Sequence, residues 1–451
     1  MAARRRHRGE EFDWTSIVEY VSVDVLGGPR LHFIKRVDDL TREDFYNIDV
    51  VTVAMTVNFG SAHLEWADDG GKVYTFPAGM AHFMEHFVML ANISTLNRLS
   101  SVYPPVDYNG LVTYDQTIYY MKDAMIPSDR LVESISDIVQ QLLSLIVSNR
   151  ESDKRLAERL AYTRRDVINE IGYRYQDIHY EMLVRLRAAM YSKHPIQYDG
   201  LGTKQSLGQI DIEHIHRAYE LMKSNIVSLI ILSSHLSSKL IKRVEETVRA
   251  HLVSQSVTTK FYPTLVDEEP EETKSCLEGV QNKSCDKLAV LGVGIKLRPL
   301  RRAYILPDQF RRMYTLSYLI AHTGSNHIES ILARDAQAYL FGGHHENSRF
   351  AWDPFECEKI KKQFQNLLLE KLQTQRQGLP FMGKFIRLYI DEDHNLLNLC
   401  HAADLFGYKL SDLLETFMEI DPTDIKKLIT EVEAARNNVT IVYASAYVDD
   451  L

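Results

Sequence analysis

The sequence has little that would suit a membrane or a nucleic acid as a partner. In its 451 residues, no apolar run approaches the length of about 20 residues that a membrane-spanning helix needs. The net charge is −9, whereas proteins that bind nucleic acid usually present a basic surface. We therefore expect no membrane and no nucleic acid among the partners of this protein.

Cysteine is also scarce, and the start of the chain lacks a secretion signal. The four cysteines are scattered without the close pairs typical of zinc sites, which indicates reduced thiols in a reducing compartment. The arginine-rich segment Met1–Arg8 is followed by Glu10, Glu11 and Asp13 rather than by an apolar segment. This pattern is unlike a signal peptide or a transit peptide, so we expect a cytoplasmic protein.

The composition divides the chain into two halves. An acidic stretch of low hydrophobicity at 254–286 predicts a linker between an N-terminal domain, 1–253, and a C-terminal domain, 287–451. Both halves end with a helical segment, an asparagine (Asn225, Asn438) and an apolar strand. This weak repeat indicates two related α+β domains of roughly 200 residues each.

Secondary structure in the first half follows from its periodicity. Segments rich in β-branched residues and flanked by turn residues predict strands, and these are Ser16–Val25, Val50–Asn58, Tyr108–Met121 and Ile226–Ser233. Long helical periodicity runs from about Ser128 to Tyr191. In the second half, the pair His344-His345 follows two glycines and is interpreted as part of a loop.

Three ionisable residues interrupt an otherwise apolar segment that follows Gly79. His82, Glu85 and His86 fall at positions i, i+3 and i+4, which is one stripe of one helix face. A helix that is apolar all round belongs in a core, where ionisable groups are rare unless they are paired or bound to a metal. The order His-x-x-Glu-His is the inverted zinc-protease pattern.

The chemistry of that pattern requires a third protein ligand. Zinc held by protein ligands with one open position lowers the pKa of a bound water towards about 7, and a neighbouring glutamate can take the proton. The best candidate for the third ligand is Glu170, a carboxylate on a mostly apolar helix face, where an unpaired charge would be costly. The residues on its stripe are Val167, Thr163, Leu160 and Leu156.

These residues resemble the pitrilysin/insulinase family of zinc peptidases, the inverzincins, and most closely its short bacterial processing-peptidase branch. The matching motifs are Gly60-Ser61, the run from Pro77 to His86, Asn109 with Thr117 and Tyr119, Asn169-Glu170-Ile171, and Lys193-His194-Pro195 with Gly202-Thr203. The resemblance covers nearly the whole first half, and the second half matches in layout.

The resemblance implies a role for each matching residue. His82, His86 and Glu170 would bind Zn²⁺, and Glu85 would be the general base. The strand that carries Asn109 would bind the substrate as an added β-strand, and Asn109 would hold a substrate backbone group.

The resemblance also implies the architecture and the partners. The family fold is a pair of similar α+β domains, each a mainly antiparallel sheet packed with long helices, which together form half of a clamshell. Short members form heterodimers or homodimers with a second family member to complete a chamber. The implied substrate is a peptide, such as the leader of a precursor.

Three departures from the family pattern concern the site. The glutamate that the family places seven residues before the third ligand is Thr163 here. Asp107-Tyr108 and Gly110-Leu111 replace the residues that usually flank the asparagine of the substrate strand. The arginine and tyrosine of the second half that bind the substrate have a loose counterpart in Arg334 and Tyr339, at a shorter spacing.

The sequence therefore predicts a zinc-dependent metalloendopeptidase, with two other hypotheses beside it. A non-catalytic assembly or binding subunit of a heterodimeric peptidase would usually have lost a histidine or the glutamate, and this chain keeps all four residues. A structural zinc domain is a poorer explanation, because Glu85 would have no purpose in it.

Overall fold

The computed structural model describes the first half of the chain almost completely and parts of the second half. The described residues are 18–36, 47–104, 106–147, 153–253, 260–264, 279–281, 288–296, 338–346, 393–405, 407–419, scattered positions between 423 and 434, and 439–445. Within this part, the chain forms mainly antiparallel sheets packed with helices, and this arrangement confirms the predicted α+β class.

The first half is built on a six-stranded sheet with the spatial order β1-β2-β8-β3-β7-β6. Its strands are β1 (Val18–Asp24), β2 (Arg30–Arg36), β3 (Ile48–Val57), β6 (Asp107–Val112), β7 (Thr117–Pro127) and β8 (Ile226–Leu232). Neighbouring strands are antiparallel except β2 and β8. The central strand β3 is buried on both faces over most of its length, whereas β6 alternates between exposed and partly buried residues at the edge.

Helices cover the sheet and carry the remaining core. They are α1 (Met80–Ala91), α2 (Ile93–Val102), α3 (Leu131–Val147), α4 (Asp153–Arg174), α5 (Ile178–Met190), α6 (Lys204–Gly208), α7 (Ile212–Ser224) and α8 (Ser238–Val253). Helix α1 packs against α4 on one side and against β6 on the other. It is buried nearly all round, with Phe83, Met84 and Phe87 fully inside, as its apolar sequence predicts.

The second half contributes a four-stranded sheet and two helices. The spatial order of the sheet is β10-β13-β11-β12, with β10 (Gly279–Gln281), β11 (Leu288–Lys296), β12 (Ala338–Glu346) and β13 (Val439–Ser445). The helices are α9 (Asp393–Leu405) and α10 (Leu410–Glu419). A small sheet with the order β5-β4-β9 is formed by β4 (Glu65–Asp68), β5 (Val73–Thr75) and β9 (Phe261–Pro263).

Each half of the chain packs a helix against the sheet of the other half. Helix α5 from the first half packs on β11 and β13, and helix α9 from the second half packs on β8. Buried polar contacts fix α9 on the first sheet: Asp404 Oδ2 lies 2.7 Å from His32 Nε2, and Arg30 donates to Asp404 Oδ1 at 2.8 Å. Each half thus contributes one helix that packs on the sheet of the other half.

Several local predictions from the sequence need correction. The segment Tyr108–Met121 is two antiparallel strands, β6 and β7, because the chain turns where Thr113 N donates to Gln116 O. The helical periodicity from Ser128 to Tyr191 is divided among α3, α4 and α5. His344-His345 lies in strand β12 rather than in a loop. The linker at 254–286 stays a prediction, and the short strands β9 and β10 lie within it.

No described helix has both the length and the apolar composition that crossing a membrane would require.

Candidate active site

Helix α1 begins at a contact between two glycines. Gly79 and Gly202 have φ values of 87° and 78°, in the left-handed region that favours glycine. A Cβ on Gly79 would lie 2.7 Å from Gly202 Cα, so the close approach excludes a side chain there. This contact fixes the first turn of α1 against the loop that precedes Thr203.

Three side chains meet where α1 runs along α4. His82 Nε2 lies 3.4 Å from Glu170 Oε2, and His86 Nε2 lies 3.0 Å from the same oxygen. Glu85 Oε2 is farther away, at 3.9 Å from His82 Nε2 and 3.6 Å from His86 Nε2. Glu170 is therefore better placed than Glu85 to complete a group of three ligands.

This donor set fits a tetrahedral zinc ion. Zinc binds imidazole nitrogen and carboxylate oxygen at about 2.0–2.2 Å, so two ligand atoms on one ion lie about 3.3 Å apart. The distances of 3.0 and 3.4 Å from Glu170 Oε2 to the two histidines agree with that spacing. Among the described residues, His82, Glu85 and His86 also form a group whose ligand atoms lie within 4.8 Å of one another. The site can thus hold a metal.

Burial and neighbouring charges set the protonation of these groups. Burial lowers the pKa of His82 to about 4 and raises the pKa of Glu85 to about 7. The hydrogen bond with His86 lowers the pKa of Glu170 to about 2. Burial lowers the pKa of His86, but the hydrogen bond with Glu170, the Glu85 charge and the hydrogen bond with Asp166 outweigh it and raise the pKa to about 9.

The two histidines differ in how their second ring nitrogens are held. His86 Nδ1 lies 3.0 Å from Asp166 Oδ2, one turn before Glu170 on α4. His82 Nδ1 and Thr163 Oγ1 are both buried without a hydrogen-bond partner in the described part of the chain. Metal-binding histidines usually donate that N–H to a carboxylate or carbonyl. Asp166 therefore orients His86, whereas the second ring nitrogen of His82 has no acceptor in the described part of the chain.

Asp166→Ala should weaken zinc binding by about 10- to 100-fold, because His86 loses the acceptor that fixes its ring. The Asp166 side chain is half exposed, so its removal leaves no buried hole and the fold should be unaffected. The dissociation constant can be measured by competition with a zinc-binding dye. Glu158→Ala, at an exposed position of the same helix, is the matched control, and equal affinities for the two variants would contradict this role.

The carboxylate of Glu85 lies directly against the edge strand β6. A Cβ built on Gly110 would lie 2.2 Å from Glu85 Oε1, so the absence of a side chain at position 110 leaves room for the carboxylate. An open cavity of about 840 Å³ extends along β6 over His82, Glu85, His86 and Glu170. Among the described residues β6 pairs only with β7, so its other edge lies beside the Glu85 carboxylate.

Gly110→Ala should lower peptide cleavage by about 100-fold, since displacing a catalytic group by about 1 Å has an effect of that size. The added Cβ would meet the Glu85 side chain at Oε1, Cγ and Cδ, at 2.2, 2.4 and 2.6 Å, rather than backbone, so we expect the fold to be kept while the carboxylate is displaced. Cleavage kinetics and thermal unfolding would separate the two effects. Gly208→Ala, with nothing within 4 Å of its added Cβ, serves as the control, and equal rates for the two variants would argue against the contact.

The remaining residues from the sequence prediction have different positions. Asn109 lines the cavity on the exposed face of β6, where its side-chain oxygen accepts from Gly110 N. Tyr339 lies in strand β12, and Arg334 lies outside the described residues. His194 and His214 accept backbone N–H groups as caps at the starts of helical turns.

Two residues at the site were missed by sequence reasoning. Asp166 lies four residues before Glu170, on the same helix stripe, and this spacing is the signal that could have found it. Arg187 lines the cavity from α5, but no local pattern distinguishes it from the other arginines of that helix.

Comparisons with known proteins bear on the fold. No family model matches the sequence, and no curated protein matches it. Among solved structures, an M16-like peptidase from Alicyclobacillus acidocaldarius aligns with a TM-score of 0.71 at 16% identity, over 95% of this chain and 98% of the other. A protease from Helicobacter pylori aligns with a TM-score of 0.66 at 16% identity, over 95% and 99%.

A third similar structure is the inactive domain of a peptidase M16 from Pseudomonas fluorescens. It aligns with a TM-score of 0.65 at 13% identity, over 96% of this chain and 99% of the other. The class is therefore defined at the level of the fold: the chain has the half-clamshell fold of M16 peptidases, the pitrilysin type. Because that fold occurs in an inactive domain as well as in proteases, the fold alone does not assign an activity.

Proposed function

We propose that this chain is a zinc-dependent endopeptidase that cleaves peptides bound along strand β6. The observation that carries the proposal is the convergence of His82 Nε2, His86 Nε2 and Glu170 Oε2, with separations of 3.0 and 3.4 Å, beside the Glu85 carboxylate. All four groups line one open cavity.

Each residue has a chemical task in the proposed reaction. His82, His86 and Glu170 would hold the zinc, which supplies a Lewis acid and an activated water. Glu85 would be the general base and acid, taking a proton from the attacking water and giving it to the leaving amine. In the metal-free site, burial raises the pKa of Glu85 to about 7, so this carboxylate holds a proton more readily than an exposed glutamate does.

The edge strand β6 is the proposed substrate platform. A peptide added beside β6 forms main-chain hydrogen bonds, which bind extended substrates with little dependence on their sequence. Gly110 in the middle of that strand touches Glu85, so the bond opposite Gly110 is the one presented for cleavage. An unfolded peptide, such as the leader of a precursor, suits this mode of binding.

A second subunit is part of the proposal. Half of a clamshell leaves the substrate cavity open on one side, and a second copy or a related chain would close it. Arg334 and Tyr339 are the residues of the second half that we propose for substrate binding, and a partner could supply an equivalent pair. Light scattering of the purified chain, with and without a co-expressed candidate, measures this association.

Removing the metal tests the proposal directly. Cleavage of an internally quenched, unstructured peptide should be lost after treatment with 1,10-phenanthroline and dialysis. It should return on addition of about one equivalent of zinc per chain, because three ligands converge on one position. Cleavage that persists in metal-free protein would contradict the zinc mechanism. A protein that binds zinc but cleaves no peptide, alone or with a partner, would favour the alternative of a non-catalytic subunit.

A further inference from the structure

One cation in the substrate cavity has no assigned role in the reaction. Arg187 lines the same cavity as the proposed zinc ligands, but it projects from α5 rather than from α1 or α4. Its guanidinium carbon lies 4.9 Å from the centre of the Tyr114 ring. A cation over an aromatic face is held in place by the ring, so this guanidinium has a fixed position at the cavity wall.

Arg187 is not neutralised by an acidic residue in the described part of the chain. Its Nε is buried without a hydrogen-bond partner, and no described carboxylate forms an ion pair with it. The neighbouring carboxylate, Asp199, accepts instead from Tyr175 and Tyr180 hydroxyls, at 2.9 and 2.6 Å, and from Leu201 N at 3.0 Å. A buried guanidinium N–H that lacks an acceptor is costly, and a bound anion would remove that cost.

The two ends of the cavity differ in chemistry. Met89, Leu90 and Ile93 form an apolar wall on the α1 and α2 side. At the other end, Arg187 and Tyr114 lie beyond the last residue of β6. Tyr114 is four positions after Gly110 in the sequence. At about 3.3 Å per residue of extended chain, a peptide along β6 would reach Arg187 about two to four residues from the cleaved bond.

We propose that Arg187 forms a subsite for a carboxylate of the bound peptide, at a position about two to four residues to one side of the cleaved bond. The proposal rests on the proposed peptidase function and adds the substrate class: peptides with an acidic side chain at that position. Planar guanidinium and carboxylate groups pair through two parallel hydrogen bonds, so glutamate or aspartate is favoured over glutamine or asparagine.

The test uses matched internally quenched peptides that carry Glu, Gln or Lys at each of four positions on either side of one cleaved bond. In the first set the C-termini are amidated, so only the charge of the tested side chain varies. A second set with free C-termini shows whether the terminal carboxylate binds Arg187 instead of a side chain. Wild-type kcat/KM should be at least about tenfold higher for Glu than for Gln at one position. Binding of the same peptides to Glu85→Gln should show the same preference without cleavage.

Variants of Arg187 identify the residue responsible. Arg187→Gln should lower kcat/KM for the Glu peptide to the value for the Gln peptide. Arg187→Glu should give the Lys peptide the highest kcat/KM of the three. Arg185→Gln is the control, because Arg185 lies two residues away on the same helix and pairs with Glu181. A peptide that is cleaved without a charge preference, or with a preference unchanged in Arg187→Gln, would overturn the subsite while leaving the peptidase function intact. Failure of every peptide to be bound or cleaved would overturn both.

Discussion

Glu85→Gln should lower the rate of peptide cleavage by about 10²- to 10⁴-fold, while the protein still folds and still binds one zinc ion. The glutamine has the same shape, but its amide cannot take a proton, and a positioned general base contributes a factor of this size. Glu85 Oε2 lies 3.6 and 3.9 Å from the histidine nitrogens, farther than Glu170 Oε2. Zinc should therefore remain bound after the substitution.

The measurement combines kcat for a quenched peptide with metal analysis of the same preparation. Glu133→Gln is a matched control, because Glu133 is an exposed carboxylate on α3 that pairs with Lys239 far from the cavity. A Glu85→Gln protein that cleaves within twofold of wild type would show that another group carries the proton. Loss of zinc together with activity would instead assign Glu85 to the metal.

His82→Ala should reduce the zinc content after dialysis from about one ion per chain to near zero, since a three-ligand site is left with two. The fold should survive this change. His82 Nδ1 is buried without a partner in the described structure, so alanine removes an unsatisfied polar atom together with the imidazole, and these effects oppose each other. Thermal unfolding of metal-free wild type and variant should therefore give similar midpoints.

The control for this substitution is another histidine with a structural role. His214 caps helix α7 beside Asp211 and does not line the cavity. His214→Ala should keep one zinc ion per chain in mass-spectrometric metal analysis. If His82→Ala also keeps its zinc, the metal lies elsewhere, and the assignment of the ligands fails.

The sequence contains much of the information needed to find the site. The spacing of His82, Glu85 and His86 places them on one face of α1, and the apolar residues around them predict that this helix is buried, as observed. The stripe leading to Glu170 is also buried, with Leu156, Leu160, Thr163 and Val167 all inside. These features are local periodicities, which a single helix expresses without reference to the rest of the fold.

Other features depend on contacts between distant segments and could not be predicted. The contact between Gly110 and Glu85 depends on how α1 packs against β6, and the pairing of His86 with Asp166 depends on how α1 packs against α4. The position of Arg187 depends on how α5 packs against the sheet of the second half. Periodicity determines which face of a helix is buried, but it does not determine which residue lies opposite.

The turn between β6 and β7 was missed for a different reason. Its residues contain neither glycine nor proline, which are the strongest signals of a turn in a sequence. The turn is instead stabilised by the hydroxyl of Thr113, which donates to Asp115 Oδ1 at 2.7 Å, and by the bond from Thr113 N to Gln116 O. Because the β-branched residues continue on both sides, the two strands resemble one long strand.

X-ray absorption at the zinc edge tests the central claim most directly, because it reports the atoms bound to the metal in the purified protein. The site described by His82, His86 and Glu170 predicts four nitrogen or oxygen neighbours at about 2.0–2.2 Å, with the outer-shell scattering of two imidazole rings. A sulfur neighbour at about 2.3 Å, a spectrum without imidazole scattering, or a chain that retains no zinc would contradict it.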